Sequence, residues 1–246
     1  MSDQPTIVLH GLPPSHPSRA AEAAIRFKGL EFERAEMDMT SGHNDHMESI
    51  YGEGNRTVPG MVVDGDPVHG SRAIFARLDE IVPEPSLHPE PIAEAVREAD
   101  RWGDEELQDL GRSLPWGALH FRPESMGTFA GGETLDPAGT DFAIRFVRGM
   151  WKYHGISAVR LAEHLAGLPS KVRRIEEFAA EGVIGGEEPT AADLQIGSTI
   201  RVLLTIGDLE PLLGGTAGER IALRWFPDYP GHVPAGAFPR GWVPAA

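Results

Sequence analysis

The segment Thr57-Val-Pro-Gly-Met-Val-Val-Asp-Gly-Asp-Pro-Val-His-Gly-Ser-Arg-Ala73 leaves the chain few ways to fold. Asp64-Gly65-Asp66 between short apolar runs is a hairpin signal, because a tight hairpin turn needs residues that tolerate positive φ. Met61 to Val63 reads as the first strand, and Ser71 stands where a helix begins. Val58-Pro59 comes just before that strand. An extended backbone at Val58 can pair with a peptide-like ligand. A helix N-terminus at Gly70-Ser71 offers N–H groups and the positive dipole end to a carboxylate. A hairpin followed by a capped helix explains the same residues without any ligand.

The neighbouring sequence extends the pattern. Thr6 to His10 is a short apolar strand, and Gly11 to Ser18 is a Pro-rich loop. Ala21, Ala24, Ile25 and Lys28 lie at helical spacing, and Gly29 stops that helix. Leu30 to Met37 reads as a second strand. The order is strand, helix, strand, short helix, strand, strand, helix. A Pro-rich stretch, Ile81 to Pro89, has the composition of a linker. The expected organisation is therefore an α/β domain over 1–81, a linker over 82–89, and an all-helical domain over 90–246 with an extended C-terminal tail. One long helix is expected from Pro91, ending before Pro115. Residues 122–140 read as a loop. Helices are expected over 142–153, 157–165, 170–180 and 191–206, the last apolar on most faces and so buried. Trp225 to Ala246 contains five prolines and reads as an extended wrap.

The net charge of −15 argues against nucleic acid, whose phosphates an acidic chain repels. No apolar run approaches the ~20 residues of a membrane span, and Met-Ser-Asp-Gln-Pro lacks the features of a secretory signal, so a cytoplasmic location is expected. The chain has no cysteine. Disulfides, thiolate metal sites and catalysis by the protein's own thiol are thereby excluded, and any thiol must arrive with a ligand.

The element order, together with Val58-Pro59 and Ser71, resembles the thioredoxin-like domain of glutathione transferases. Glu188-Pro-Thr-Ala-Ala-Asp-Leu194 is similar to a helix-starting motif of that family, in which Thr190 caps and Asp193 answers as a capping box. The likeness is close over 5–81 and 188–206 and loose between them. The Gly-Ser start of the third helix is similar to a poorly characterised actinobacterial branch. The resemblance implies a thioredoxin-like α/β domain followed by a helical bundle. It also implies a homodimer, glutathione or another low-molecular-weight thiol as co-substrate, a hydrophobic electrophile as second substrate, and conjugation as the reaction. A non-catalytic binding or scaffold protein on the same fold is the rival reading.

Each candidate residue carries a plain structural reading beside the functional one. Ser15, in the loop before the first helix, occupies a position where the resemblance implies a thiolate-stabilising Cys or Ser; it also suits an ordinary N-cap. The resemblance implies a cis Val58–Pro59 bond that turns the Val58 N–H and C=O toward the ligand. It implies that Ser71 holds the γ-glutamyl carboxylate, though Ser71 can simply cap its helix. Gly70 departs from the family, which carries an acidic residue or Gln there. The resemblance implies that the region of His43 touches the ligand's glycine carboxylate, with Arg56 a further candidate for that contact. His43 and His46 also have a spacing that metal sites use, but no third ligand accompanies them, and no metal is expected. Pro14, Trp102 and Trp116 are the expected substrate-pocket residues.

Overall fold

The computed structural model describes residues 4–37 and 42–245, so the expected ranges 1–81 and 225–246 reach past the described residues at 1–3, 38–41 and 246. Strand β1 (Ile7–Gly11) leads through the Pro-rich loop into helix α1 (His16–Phe27). Strand β2 (Glu33–Glu36), helix α2 (His43–Tyr51), strands β3 (Gly60–Val63) and β4 (Asp66–His69) and helix α3 (Ser71–Ile81) complete the α/β portion. The sheet order is β2-β1-β3-β4, with β1 parallel to β2 and antiparallel to β3. This is the thioredoxin-like sheet that the element order implies. Asp64 and Gly65 have φ of 50° and 93°, the positive pair a two-residue hairpin requires. At Gly60 a Cβ would stand 2.2 Å from the Tyr51 ring, so only glycine lets α2 close on β3 there.

The second portion is helical: α4 (Ala93–Trp102), α5 (Gln108–Phe121), α6 (Pro137–Tyr153), α7 (Ala158–Ala180), α8 (Ala191–Leu203), α9 (Glu210–Leu213) and α10 (Ala217–Trp225). Three expectations need correction. The helix expected to end before Pro115 runs through it as α5, after a wide π-type turn at Gly103–Leu107. Proline removes one helical N–H at a cost of about 3 kcal/mol, which the packing of α5 against α6, α7 and α8 outweighs. The helices expected over 157–165 and 170–180 are one helix, α7, with Pro169 inside it. Within the expected loop of 122–140, Pro123–Ala130 forms 3-10 turns.

Helix α8 is the centre of the molecule. Every residue from Ala191 to Ile200 is buried, because α1, α4, α5 and α10 all pack on it. The capping box forms as expected: Thr190 N–H donates to Asp193 Oδ2 at 3.0 Å, and Asp193 N–H to Thr190 Oγ1 at 3.2 Å. Asp193 also accepts from Gly185 N–H at 2.7 Å, so its carboxylate organises the turn before the helix.

The join between the two portions rests on a buried cation. The Lys28 side chain has no exposed surface; its ammonium donates to Asp79 Oδ1 at 2.5 Å and to the Val82 and Pro85 carbonyls at 2.7 and 2.5 Å. It ties the end of α1 to the end of α3 and to the segment leaving it. Removing one partner of a buried pair strands the other. Lys28→Ala should therefore cost about 3 kcal/mol in chemical denaturation, the lower end of the range for buried pairs because Asp79 keeps some exposure. A loss under about 1 kcal/mol would show that the three acceptors re-solvate freely.

Candidate functional site

A cavity of about 870 Å³ opens between the α/β and helical portions. The Pro-rich loop from Leu12 to Pro17 forms one wall, with His43, Asn44, Thr57 and Val58 beside it. The helical portion contributes Arg112, Pro115, Trp116 and Leu119, which follow helical spacing on one face of α5. Phe142, Phe146, Met150 and Tyr153 form a similar stripe on α6. Met126 and Phe129 from the 3-10 turns and Pro230 from the tail close the remainder. Phe142 and Phe146 stack at 5.9 Å, and Trp116 packs on Phe146 at 6.0 Å, so this side is largely aromatic.

Ser15 is the N-cap of α1. Its Oγ accepts from Ser18 N–H at a long 3.4 Å, and Pro17 occupies the first turn. A hydroxyl that only accepts keeps its own proton to donate. Ser15 is half-buried and lines the cavity, so the capping and ligand-facing readings of this residue are compatible. The tail fixes the loop that carries it: Tyr229 Oη donates to the Pro14 carbonyl at 2.5 Å, and Arg19 bonds the Asp228 carbonyl. The tail in turn is held by the Asp208 carboxylate, which accepts from Gly236, Ala237 and Phe238 N–H groups at 2.6 to 2.9 Å.

The cavity brings together Pro14, Ser15, His43, Val58 and Trp116 of the expected residues. The Val58–Pro59 bond is cis, and Pro59 lies buried behind Val58 with its carbonyl accepting from Gly70 N–H at 3.0 Å. Trp102 is elsewhere. It meets Phe178 of α7 edge-on at 5.5 Å, because the π-type turn that follows it separates the α4 face from the α5 face. Arg56 is exposed and bonded to Asp45 at 2.5 Å, outside the cavity wall. Ser71 is not a cap. Gly70, at φ 88°, holds the cap position, and Ser71 is the first helical residue. Its hydroxyl is buried and donates to Gln195 Oε1 of α8 at 2.8 Å, so its one proton is already committed. No side chain caps α3, so an anion brought to that end would meet backbone N–H groups.

Sequence reasoning missed Arg112 and His16. His16 is buried, and its Nε2 has no partner. Its ring lies against α5 at Gly111, where a Cβ would come within 2.9 Å of Cε1 and Nε2, so glycine there permits the approach. Burial, reinforced by the Arg112 charge, pushes the His16 pKa down to about 3. Arg112 reaches into the cavity, open to solvent yet flanked by protein, and that desolvation lowers its pKa. The i, i+3, i+4, i+7 spacing of 112, 115, 116 and 119 was visible in the sequence; that this face meets a cavity was not. Among the described residues no group of His, Asp or Glu could hold a metal ion.

Residues 9–86 match the family model described as Glutathione S-transferase, N-terminal domain. That match covers the α/β portion, and the rest of the chain shares its fold with solved glutathione transferases. Beta-etherase LigF from Sphingobium sp. strain SYK-6 has the same fold, with 23% identity, a TM-score of 0.59, and 90% of each chain covered. A glutathione S-transferase from Rhodospirillum rubrum F11 gives 18% identity and a TM-score of 0.53, covering 90% of this chain and 86% of that one. A glutathione transferase homologue from Drosophila mojavensis, with bound glutathione, gives 18% and 0.52, covering 82% and 79%. No curated protein matches the chain by sequence. Among the described residues no helix is long and apolar enough to cross a membrane.

The buried histidine has a consequence for acid stability. The His16 pKa falls from 6.5 to about 3 on folding. Below pH 6.5 the unfolded chain therefore binds a proton that the native chain refuses, and native stability falls by up to about 1.4 kcal/mol per pH unit. Asp100 acts in the opposite sense. Burial, opposed by Arg72, raises its pKa from 3.8 to about 6, so between those values the native chain keeps a proton the unfolded chain has released. His16→Gln removes the first effect and leaves the second. Urea unfolding from pH 7 to pH 5 should show the wild type losing stability relative to this variant; parallel curves would contradict a neutral buried His16.

Proposed function

We propose that the protein is a glutathione-transferase-like enzyme that joins a γ-glutamyl thiol to a hydrophobic electrophile. One observation carries this reading: a serine hydroxyl with an uncommitted proton, at the start of α1, faces an aromatic cavity walled by both portions of the chain. In this reading the thiol lies extended beside Val58, its sulfur near Ser15, and the electrophile lies against Trp116 and Phe146. A free thiol has a pKa near ~8.5 and is mostly protonated at neutral pH. Hydrogen bonding from Ser15 and the positive end of α1 favour the thiolate. The thiol proton leaves to solvent, the sulfur lone pair forms the new S–C bond, and the displaced electrons leave with the departing group or enter the acceptor's π-system. The homologue from Drosophila mojavensis holds glutathione, which supports glutathione as the thiol. A homodimer belongs to the same reading and rests on the resemblance alone.

A second reading, a ligand-binding protein without turnover, is favoured by the Ser71 hydroxyl, which Gln195 already occupies. Ser15→Ala separates the two. It should cost about 1 kcal/mol of stability through the lost cap and leave glutathione affinity nearly intact in calorimetry. Turnover of 1-chloro-2,4-dinitrobenzene should fall about 10- to 1000-fold near neutral pH, as expected for losing one donor to an anion. A wild-type protein that binds glutathione without turnover would establish the binding-protein reading. An unaltered rate in Ser15→Ala would remove Ser15 from the mechanism.

A further inference from the structure

The charge inside the cavity is opposite to the charge of the protein. The chain carries 37 acidic residues and a net charge of −15, yet none of the described residues lining the cavity is Asp or Glu. Arg112 is the fixed charge on that wall. Its guanidinium hydrogen-bonds the neutral Gln108 amide oxygen, and among the described residues it forms no ion pair. The nearby carboxylates are committed elsewhere. Asp109 Oδ2 holds Arg160 at 2.5 Å and His164 at 3.4 Å, and Asp104 Oδ1 accepts from Gln108 Nε2 at 3.0 Å. Gln108 thus orients Arg112 without neutralising it. A partly desolvated cation is stabilised by an anion brought to it, and a guanidinium offers the paired donors that fit a carboxylate.

The position of Arg112 selects which molecule brings that anion. On the face of α5 that meets the cavity, Pro115, Trp116 and Leu119 follow it, among the aromatic lining. Gly111 rests on His16, the residue after Ser15, so Arg112, the next residue of α5, lies near the Ser15 turn. We propose that the co-substrate of this site is an aromatic or aliphatic molecule bearing its own carboxylate, and that Arg112 is the specificity-determining residue that binds it. This rests on the reading of Ser15 and Val58 as the thiol side. The neutral His16 beside Arg112 adds no competing cation there.

The test uses two probes of equal shape, biphenyl-4-carboxylate and biphenyl-4-carboxamide, titrated into the full chain by calorimetry. Glutathione is titrated separately. The wild type should bind the carboxylate about 10- to 100-fold more tightly than the amide, the ratio expected of a charged hydrogen-bonded pair. Arg112→Gln should bring the ratio to about one, Arg112→Lys should retain part of it, and glutathione affinity should stay within about twofold in both. Circular dichroism verifies that the variants fold. A wild-type ratio near one, or a ratio that survives Arg112→Gln, would overturn the proposal. A matching loss of glutathione affinity in Arg112→Gln would also overturn it, by giving Arg112 to a carboxylate of the thiol. If the wild type keeps the probe ratio but does not bind glutathione, the anion subsite stands and the thiol reading alone fails.

Discussion

The packing of α1 and α5 on α8 positions Ser15 and Arg112 at the cavity. α8 is buried on all sides, so the helices around it have little freedom to shift without opening voids in a close-packed interior. Its polar residues are used inward: Gln195 takes the Ser71 hydroxyl, and Asp193 fixes the turn before the helix. Thr199 and His16 both press on Gly111 from the α8 and α1 sides. A side chain at 111 would push α5 away from α1, and the cation on α5 would move away from the Ser15 turn with it. The site is thus a consequence of interior packing rather than of a flexible loop.

That packing explains the contrast between the two sides of the cavity. The α/β side presents backbone and hydroxyl groups held by prolines, a cap and the Tyr229 hydrogen bond from the tail. The helical side presents aromatic rings, several of them partly exposed because they face the cavity rather than the core; Phe142 and Tyr153 remain about half exposed. Asn44 Nδ2 donates to Tyr153 Oη at 2.6 Å and to the Arg56 carbonyl at 2.9 Å, a bridge that joins the two sides beside the cavity. A polar side and an apolar side suit two ligands of different character held together, as the proposed reaction needs.

Much of the fold was legible in the sequence because its signals are local. The Asp64-Gly65 turn, the Ala-rich face of α1 and the Thr190–Asp193 box each need only neighbouring residues. The misreadings share one cause. Pro115 and Pro169 look like helix ends, yet tertiary contacts carry α5 and α7 past them. Trp102 and Trp116 lie 14 positions apart on what the sequence presents as one helix, and the π-type turn at Gly103 rotates one face against the other. The N-cap position of Ser15 was legible from its place before α1. The commitment of Ser71 to Gln195 was not, since the partner lies 124 residues away. Arg112 was hidden for a related reason: a lone Arg on an amphipathic helix looks like a solvated residue until the opposite wall is known.

The central claim is that the start of α1 holds a thiol as its thiolate. The most direct measurement is the ultraviolet absorbance of glutathione bound to the wild-type protein, followed from acid to alkaline pH. The account predicts that the bound thiol ionises well below the ordinary value of ~8.5 and is mostly thiolate at pH 7. Bound glutathione that titrates at the ordinary thiol value, or a protein that does not bind glutathione at all, would contradict it.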